Sequence, residues 1–259
     1  MKDDGYPISI NFAPILIIFV IIFFLLIPSI AITGEFRVSP IKLVFESGVK
    51  SGIINVVNEG EETLQVQMKA FEWTQDAEGK DQYAETNDLI FFPRMMTINK
   101  NEERILRAGI KAQPVAREKT YRLFIEEIPG PRKEQQGSQV QVAIRFGVPI
   151  FIKPLKEEVQ GNIGGIEMKG EKLQFAIKNT GSSHFIIQSI LIKGKDIKGV
   201  ENFSKELSGW YLLTGVKRTY ETSISKEVCQ GMSKLEIEVK ADQLSLSGKL
   251  DVDNKMCLP

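Results

Sequence analysis

The sequence predicts an all-β protein made of two β-sandwiches, and three observations lead to this prediction. After Gly34 the chain is a series of short segments rich in Val, Ile, Leu and Phe, each ended by Gly, Asn, Pro or charged residues. No window shows a sustained helical period with capping residues. A charged, strand-poor break at residues 154–158 divides the series in two. We therefore expect two domains, at residues 35–154 and 159–259.

The first domain is expected to contain seven strands. An Asn-Glu-Gly turn at residues 58–60 and the Gly130-Pro131 pair bound several of them. Two sheets packed face to face with Greek-key connections are the natural way to bury such strands. The expected strands are 36–45, 52–57, 64–73, 89–92, 104–108, 121–128 and 140–152.

The second domain is expected to be a shorter sandwich. An Asn-Thr-Gly turn at residues 179–181 and several further glycines separate its apolar segments. The expected strands are 173–178, 185–192, 210–213, 218–224, 234–239 and 244–250.

The N-terminus carries a targeting segment. Residues 15–27 are an unbroken apolar run, and the small residues Ser29 and Ala31 follow it. This pattern is typical of a signal peptide, residues 1–31, with cleavage after Ala31 and export of the chain. The wider stretch 12–32 is also long enough to span a bilayer as an uncleaved anchor, so both interpretations stay open.

The charge of the chain and its cysteine content limit the classes of function that the protein can have. The 33 basic and 33 acidic residues cancel, which gives no global attraction to nucleic acid. The only two cysteines are Cys229 and Cys257. In an oxidising compartment we expect them to form a disulfide worth about 3 kcal/mol, with two unpaired thiols as the alternative.

The residues offer no catalytic or cofactor site. The single histidine, His184, follows two serines in a turn, and a lone turn histidine is typical of the protein surface. No Cys/His cluster, calcium loop or phosphate-binding loop is present in the sequence. Glu126 and Glu127 point to opposite faces of a strand and make a poor acid/base pair. We expect no enzyme, no metal and no cofactor.

The longest expected strand has more apolar alternation than one small domain needs. Val140, Val142, Ile144 and Phe146 all lie on one face of it. An exposed strand edge can bind another chain by β-augmentation. The pattern indicates a strand that is shared with a partner, although the same side chains would also suit the domain's own core.

Four segments of the first domain carry a family resemblance: VSPIKLVF at 38–45, INVVN at 54–58, YRLFIEEIP at 121–129 and IFIKP at 150–154. They resemble the PapD-like periplasmic chaperones of chaperone–usher pilus assembly. The similarity is strong across the first domain and extends to the second only in pattern and length. Its most specific short motif is the Glu-Ile-Pro ending of the third segment.

This resemblance implies two immunoglobulin-like domains arranged as an L, in the periplasm. It also implies pilin-like subunits and an outer-membrane usher as partners. In the family, the last strand of the first domain fills the open groove of a subunit, which is donor-strand complementation. By the resemblance Val140, Val142 and Ile144 would fill that groove, with Phe146 as a further donor residue.

The family also holds the subunit's C-terminal carboxylate with two cations. Lys42 matches the first of them, but Pro149 stands where the second, a lysine, is usual. This departure is similar to the archaic branch of the family, which serves spore-coat-U-like subunits. Arg122 is our candidate for the second cation, with Arg145 and Lys153 as less favoured ones.

The polar loop at residues 130–139 connects the two key strands, and we expect it to be mobile until a subunit binds. The competing hypothesis is a structural or adhesive protein with immunoglobulin-like domains, in contact with a membrane only through residues 12–32. A hydrolase built on a β-sandwich has no residue set to support it.

Overall fold

A computed structural model describes residues 36–46, 48–111, 115–130 and 142–258. The predicted signal or anchor segment, residues 1–31 or 12–32, lies outside the described residues. Val140 and the loop residues 131–139 also lie outside them.

The described chain is nearly all β, as predicted. It has eighteen strands, one short α-helix, α1 (Lys226–Gln230), and one 3-10 helix (Asn254–Cys257). In chain order the strands are β1 (Phe36–Ser39), β2 (Leu43–Phe45), β3 (Ser51–Asn58), β4 (Leu64–Gln75), β5 (Asp81–Glu85), β6 (Leu89–Phe92), β7 (Met95–Ile98), β8 (Glu103–Ile110), β9 (Lys119–Glu127), β10 (Arg145–Ile152), β11 (Gly161–Lys169), β12 (Lys172–Asn179), β13 (Phe185–Lys195), β14 (Glu201–Ser208), β15 (Tyr211–Leu212), β16 (Lys217–Ser223), β17 (Lys234–Ala241) and β18 (Ser245–Asp251).

The first ten strands form a sandwich of two sheets. One sheet has the order β1-β3-β8-β6, and the other has the order β2-β10-β9-β4-β5, with β7 paired to β4. The predicted opening strand 36–45 is in fact two strands, one in each sheet. Pro40 stands between them and has no N–H to donate to a ladder, so the chain leaves the first sheet there.

The remaining strands form a second sandwich with its own core. Its sheets have the orders β11-β12-β16 and β14-β13-β17-β18, with β15 paired to β13. The break predicted at residues 154–158 lies between β10 and β11. Cys229 of α1 and Cys257 of the 3-10 helix are bonded as a disulfide, and both are buried.

Both sandwiches contain the same buried asparagine in an Asn-x-Gly turn. Asn58 donates from its amide to the carbonyl oxygens of Glu62 at 2.8 Å and Ile98 at 2.9 Å, and its own oxygen accepts from the Gly60 N–H. Asn179 repeats the arrangement with Ser183, Leu212 and Gly181, each bond being 2.9 Å. Each asparagine therefore joins its turn to a neighbouring segment of the same sandwich.

One amide and a small apolar cluster are among the contacts between the two sandwiches. The side chain of Gln75, at the end of β4, donates to the Tyr211 carbonyl at 2.9 Å and accepts from the Leu213 N–H at 3.0 Å. Trp73, Phe151 and Leu213 form a buried cluster beside it. These contacts place residues 210–213 of the second sandwich against the outer face of the sheet that contains β10.

Candidate functional site

Half of β10 has an edge without a partner in the described part of the chain. The strand pairs with β9 over its whole length, but β2 pairs with Ile150–Ile152 alone. The Ile144 carbonyl accepts from the Glu127 N–H at 2.9 Å, whereas the Lys153 N–H donates to Phe45 of β2. The backbone N–H and C=O groups of successive residues point alternately to the two sides of a strand. Those of Arg145 and Gly147 therefore point toward the open edge. That edge ends at Pro149, which has no N–H.

The side chains on the core-facing side of β10 become more exposed toward its N-terminal end. Val148 and Ile150 are fully buried in the first core, and Phe146 is partly buried against it. Ile144 is partly buried, and Val142 is 74% exposed. Val142 and Ile144 therefore continue this face beyond the sandwich's own core. Phe146 does not, because at that position the strand has already entered the sandwich.

The predicted donor strand also begins later than expected. The sequence predicts a strand from residue 140, but β10 begins at Arg145. Just before it, the Ile144 N–H donates to the carboxylate of Glu127 at 3.1 Å. Residues 142–144 thus approach β9 without forming a ladder with it.

Two cations lie on either side of Pro149. In the ladder, Arg122 of β9 is opposite Pro149, and Leu43 of β2 is opposite Ile150. Lys42 immediately precedes Leu43, is exposed, and has no ion-pair partner in the described ranges. Paired residues in a ladder share a face, so the alternation places Lys42, Pro149 and Arg122 on the outer face of this sheet.

The guanidinium of Arg122 is buried without a counter-ion. The residue is 8% exposed, and its Cζ lies 3.9 Å from the centroid of the Trp73 ring. Nη1 donates to the Gly147 carbonyl at 3.1 Å, while Nε is buried with no hydrogen-bond partner among the residues that the structure describes. No carboxylate of the described residues lies within ion-pair distance of it. A buried cation in this state is costly, so the arrangement suits an incoming anion.

The less favoured anchor candidates, Arg145 and Lys153, already have acidic partners. Nε of Arg145 lies 2.8 Å from a carboxylate oxygen of Glu126. Lys153 contacts Glu157 at 3.0 Å and Glu46 at 3.3 Å, and the Glu157 hydrogen bond raises the pKa of Lys153. A partner carboxylate would have to displace these acids.

The comparison with family models gives a match over the first sandwich. Residues 35–157 match the description "Pili and flagellar-assembly chaperone, PapD N-terminal domain". This stretch of the chain is a PapD-like chaperone domain. The resemblance seen in the sequence is confirmed. A search of curated proteins finds no match.

Solved structures show the same two-domain fold. In a complex of CsuC with the tip subunit CsuE from the archaic Csu pili of Acinetobacter baumannii, the matched chain has a TM-score of 0.58 and 20% identity, over 82% of this chain and 98% of that one. The YadV chaperone has a TM-score of 0.55 and 13% identity, over 85% and 100%. A Salmonella enterica complex of SafA pilin and the SafB chaperone gives 0.53 and 14%, over 85% and 98%.

The second sandwich adds two aromatic residues to the site of the PapD-like domain, and neither was predicted from the sequence. Cζ of Arg122 lies 5.6 Å from the Tyr211 ring centroid and 6.0 Å from that of Trp210. Burial raises the pKa of Tyr211, and the charge of Arg122 opposes this rise. The adjacent Gly209-Trp210-Tyr211 sequence was the available signal, but nothing in it indicates contact with Arg122.

The expectation that His184 is a surface residue is wrong. Its side chain is only 14% exposed, and Nδ1 lies 2.7 Å from a carboxylate oxygen of Glu118 in the PapD-like domain. The imidazole also stacks on Phe151, with ring centroids 3.9 Å apart. The histidine therefore helps to join the two sandwiches.

The described residues offer neither a metal site nor a membrane-spanning helix. They contain no group of three or more His, Cys, Asp or Glu side chains that could hold a metal ion. They also contain no helix long and apolar enough to cross a membrane.

Proposed function

We propose that this protein is a periplasmic chaperone that captures pilin-like subunits by donor-strand complementation and delivers them to an outer-membrane usher. The observation that carries the proposal is the open edge of β10, with Val142 and Ile144 extending past the sandwich's own core. Two of the similar structures support it, because their descriptions name a chaperone in complex with a tip subunit and with a pilin.

In the proposed mechanism the subunit adds a strand along Arg145 to Pro149. The N–H and C=O groups of Arg145 and Gly147 supply hydrogen bonds, and Val142 and Ile144 enter the subunit's groove, followed by Val140. Each apolar side chain moved from water into a groove contributes roughly 1.5 to 3 kcal/mol. No covalent bond is made or broken, so the capture requires no nucleotide.

The end of the open edge fixes where the subunit strand stops. Beyond Pro149 the edge is occupied by β2, so a paired strand ends beside Lys42 and Arg122. We propose that these two cations hold the C-terminal carboxylate of the subunit. The buried charge of Arg122, which has no ion-pair partner among the described residues, supports this assignment, because a carboxylate would supply its counter-charge.

A capture experiment tests the donor strand. The chaperone is co-expressed with candidate subunits encoded beside its gene, and complexes are isolated through a tag on the chaperone. The double variant Val142→Asp/Ile144→Asp should lose the subunit. The matched control, Ile53→Asp/Ile105→Asp, places the same charges on exposed apolar positions of β3 and β8 and should keep it. Undiminished capture by the first variant would remove the proposed mechanism.

The location, branch and domain boundaries belong to the same proposal. We propose that residues 1–31 are a cleaved signal peptide and that residues 35–154 and 159–259 are the two domains. The archaic branch is supported by the missing donor-strand lysine at Pro149. The intact mass of the exported protein tests cleavage, since a mass that includes residues 1–31 would favour the tethered alternative.

A further inference from the structure

Both tryptophans of the chain lie beside Arg122. Trp73 comes from β4 of the first sandwich, and Trp210 comes from the second. Their ring centroids are 3.9 Å and 6.0 Å from the Arg122 Cζ, and the Tyr211 ring adds a third aromatic contact. The buried cation is therefore enclosed by rings from both domains, and two of the three belong to the second domain.

Backbone packing fixes the position of Trp210. The preceding residue, Gly209, approaches β13 so closely that a Cβ there would lie 2.3 Å from the Ile187 carbonyl oxygen. No residue other than glycine fits this approach. The following residues, Tyr211 and Leu213, are held by the side-chain amide of Gln75. The segment that carries Trp210 is thus held from both sides.

The Trp210 indole has its own contact with the first domain. Nε1 donates to Oδ2 of Asp81 in β5 at 3.1 Å, and Oδ1 of Asp81 accepts from Gln75 at 3.0 Å. Trp210 is nevertheless 45% exposed. A half-exposed side chain held by an acid of the other domain adds little to either core. Its ring centroid lies 6.0 Å from the Arg122 Cζ and 5.4 Å from the Tyr211 ring centroid, so its neighbours are the guanidinium and a second ring that encloses it.

We propose that Trp210, held by Asp81, is a positioning residue for Arg122, so that the second domain completes the carboxylate site. This inference rests on the proposed function. The rings restrict the guanidinium to the orientation in which Nη1 contacts Gly147 and Nε stays unpaired. A carboxylate arriving along the β10 edge then meets a preorganised donor. Without Trp210 the guanidinium loses one of its three enclosing rings, and the incoming ligand would have to supply part of its ordering.

The test compares two fluorescein-labelled peptides that differ only at the C-terminus. Both have seven alternating threonine and valine residues, and one ends in a free carboxylate while the other is amidated. Binding to the full exported chain is measured by anisotropy. Wild type should bind the free acid roughly tenfold more tightly than the amide, the gain expected of a charge-assisted hydrogen bond. The tryptophan emission should also change more with the free acid, because both tryptophans lie at the site.

Substitutions at Trp210 and Asp81 separate positioning from folding. Trp210→Ala should lose the preference for the free acid and leave the affinity for the amide unchanged. Trp210→Phe keeps a ring and should retain most of the preference. Asp81→Ala removes the Trp210 contact, together with the Gln75 contact to the same carboxylate, and should reduce the preference. If Trp210 had only a structural role, Trp210→Ala would weaken the binding of both peptides equally.

The outcomes distinguish this inference from the proposed function. If Trp210→Ala keeps the full preference while Arg122→Gln abolishes it, Arg122 remains the anchor and the positioning role is overturned. If wild type itself does not distinguish the acid from the amide, the carboxylate anchor and the positioning role are overturned together. Loss of binding to both peptides in Trp210→Ala also overturns the inference.

Discussion

The two sandwiches use the same Asn-x-Gly turn but treat their sheet edges differently. In the second sandwich, the edge strands β14 and β18 carry charges such as Lys205 and Lys249, which are typical guards against pairing with another chain. In the first, residues 142–149 contain one charged residue, Arg145, which already pairs with Glu126. These two edges of the second sandwich are therefore guarded by charge, whereas the edge of β10 from Arg145 to Pro149 in the first sandwich is open and almost uncharged.

The shared turn predicts equal losses of stability in the two domains. Asn58→Ala and Asn179→Ala each remove three hydrogen bonds from a buried site. Each should lower the free energy of unfolding of its own domain by about 3 to 5 kcal/mol. Urea unfolding followed domain by domain measures both. The control is Asn55→Ala, a partly buried residue of β3 that should change little. A loss below about 1 kcal/mol in one domain alone would show that the two turns are not equivalent.

Loss of the disulfide should lower the stability of the second domain and leave that of the first unchanged. Cys229 and Cys257 are 28 residues apart and close a loop that contains β17 and β18. Replacing both with serine should cost the second domain between about 3 and 4 kcal/mol, mainly by freeing the unfolded chain. The first domain has no such link and should unfold at the same urea concentration as before. If the urea midpoint of the first domain also falls, the two domains do not unfold independently, and the loss of stability belongs to the whole chain and not to the second domain.

Much of this contrast could be predicted from the sequence, because apolar alternation and turn residues are local signals. They located most strands of both domains and the two Asn-x-Gly turns. They missed β5, β7, β11 and β14, whose alternation is short, rich in glycine or carried by charged residues. These are edge or end strands, where tertiary pairing decides the structure and burial leaves only a weak pattern.

The site was less predictable, because burial depends on where a sheet ends. Val142, Phe146 and Val148 share one alternation, yet only the structure shows that Phe146 and Val148 already contact the first core. The position of Arg122 opposite Pro149 follows from strand register, which the sequence does not give. The aromatic enclosure of Arg122 depends on the contact between the two domains, and no local pattern encodes it.

The first sandwich should also show a pH dependence of its own. Asp88 accepts from the Tyr121 hydroxyl at 2.7 Å and from Lys119 at 3.0 Å, and these contacts lower the pKa of Asp88 below its ordinary value of 3.8. An acid whose pKa is lower in the folded protein stabilises the fold at pH values above its pKa in the unfolded chain. That stabilisation is lost as the pH falls through the pKa of the folded state. Asp88→Asn should therefore destabilise the first domain at pH 7 by about 1 kcal/mol, because the carboxylate is partly exposed.

Unfolding of wild type and Asp88→Asn at several pH values can contradict this prediction. The difference in unfolding free energy between wild type and Asp88→Asn should shrink as the pH falls below about 4. The second domain should show no difference between the two proteins at any pH. A difference that stays constant from pH 7 to pH 3 would mean that the charge of Asp88 does not contribute.

The smallest expected change in stability comes from giving the first sandwich an edge charge like those of the second. Val142→Lys changes a side chain that is 74% exposed, so the free energy of unfolding should move by no more than about 0.5 kcal/mol. The same substitution at Val148, which is fully buried on the same face of β10, should prevent the first domain from folding.

Urea unfolding and subunit capture are measured on both variants. Val142→Lys should be folded and unable to capture a subunit, because a lysine in the groove would bury an unpaired charge. If it captures the subunit as well as wild type does, the open edge of β10 is not the binding surface, and the contrast between the two sandwiches has no functional meaning.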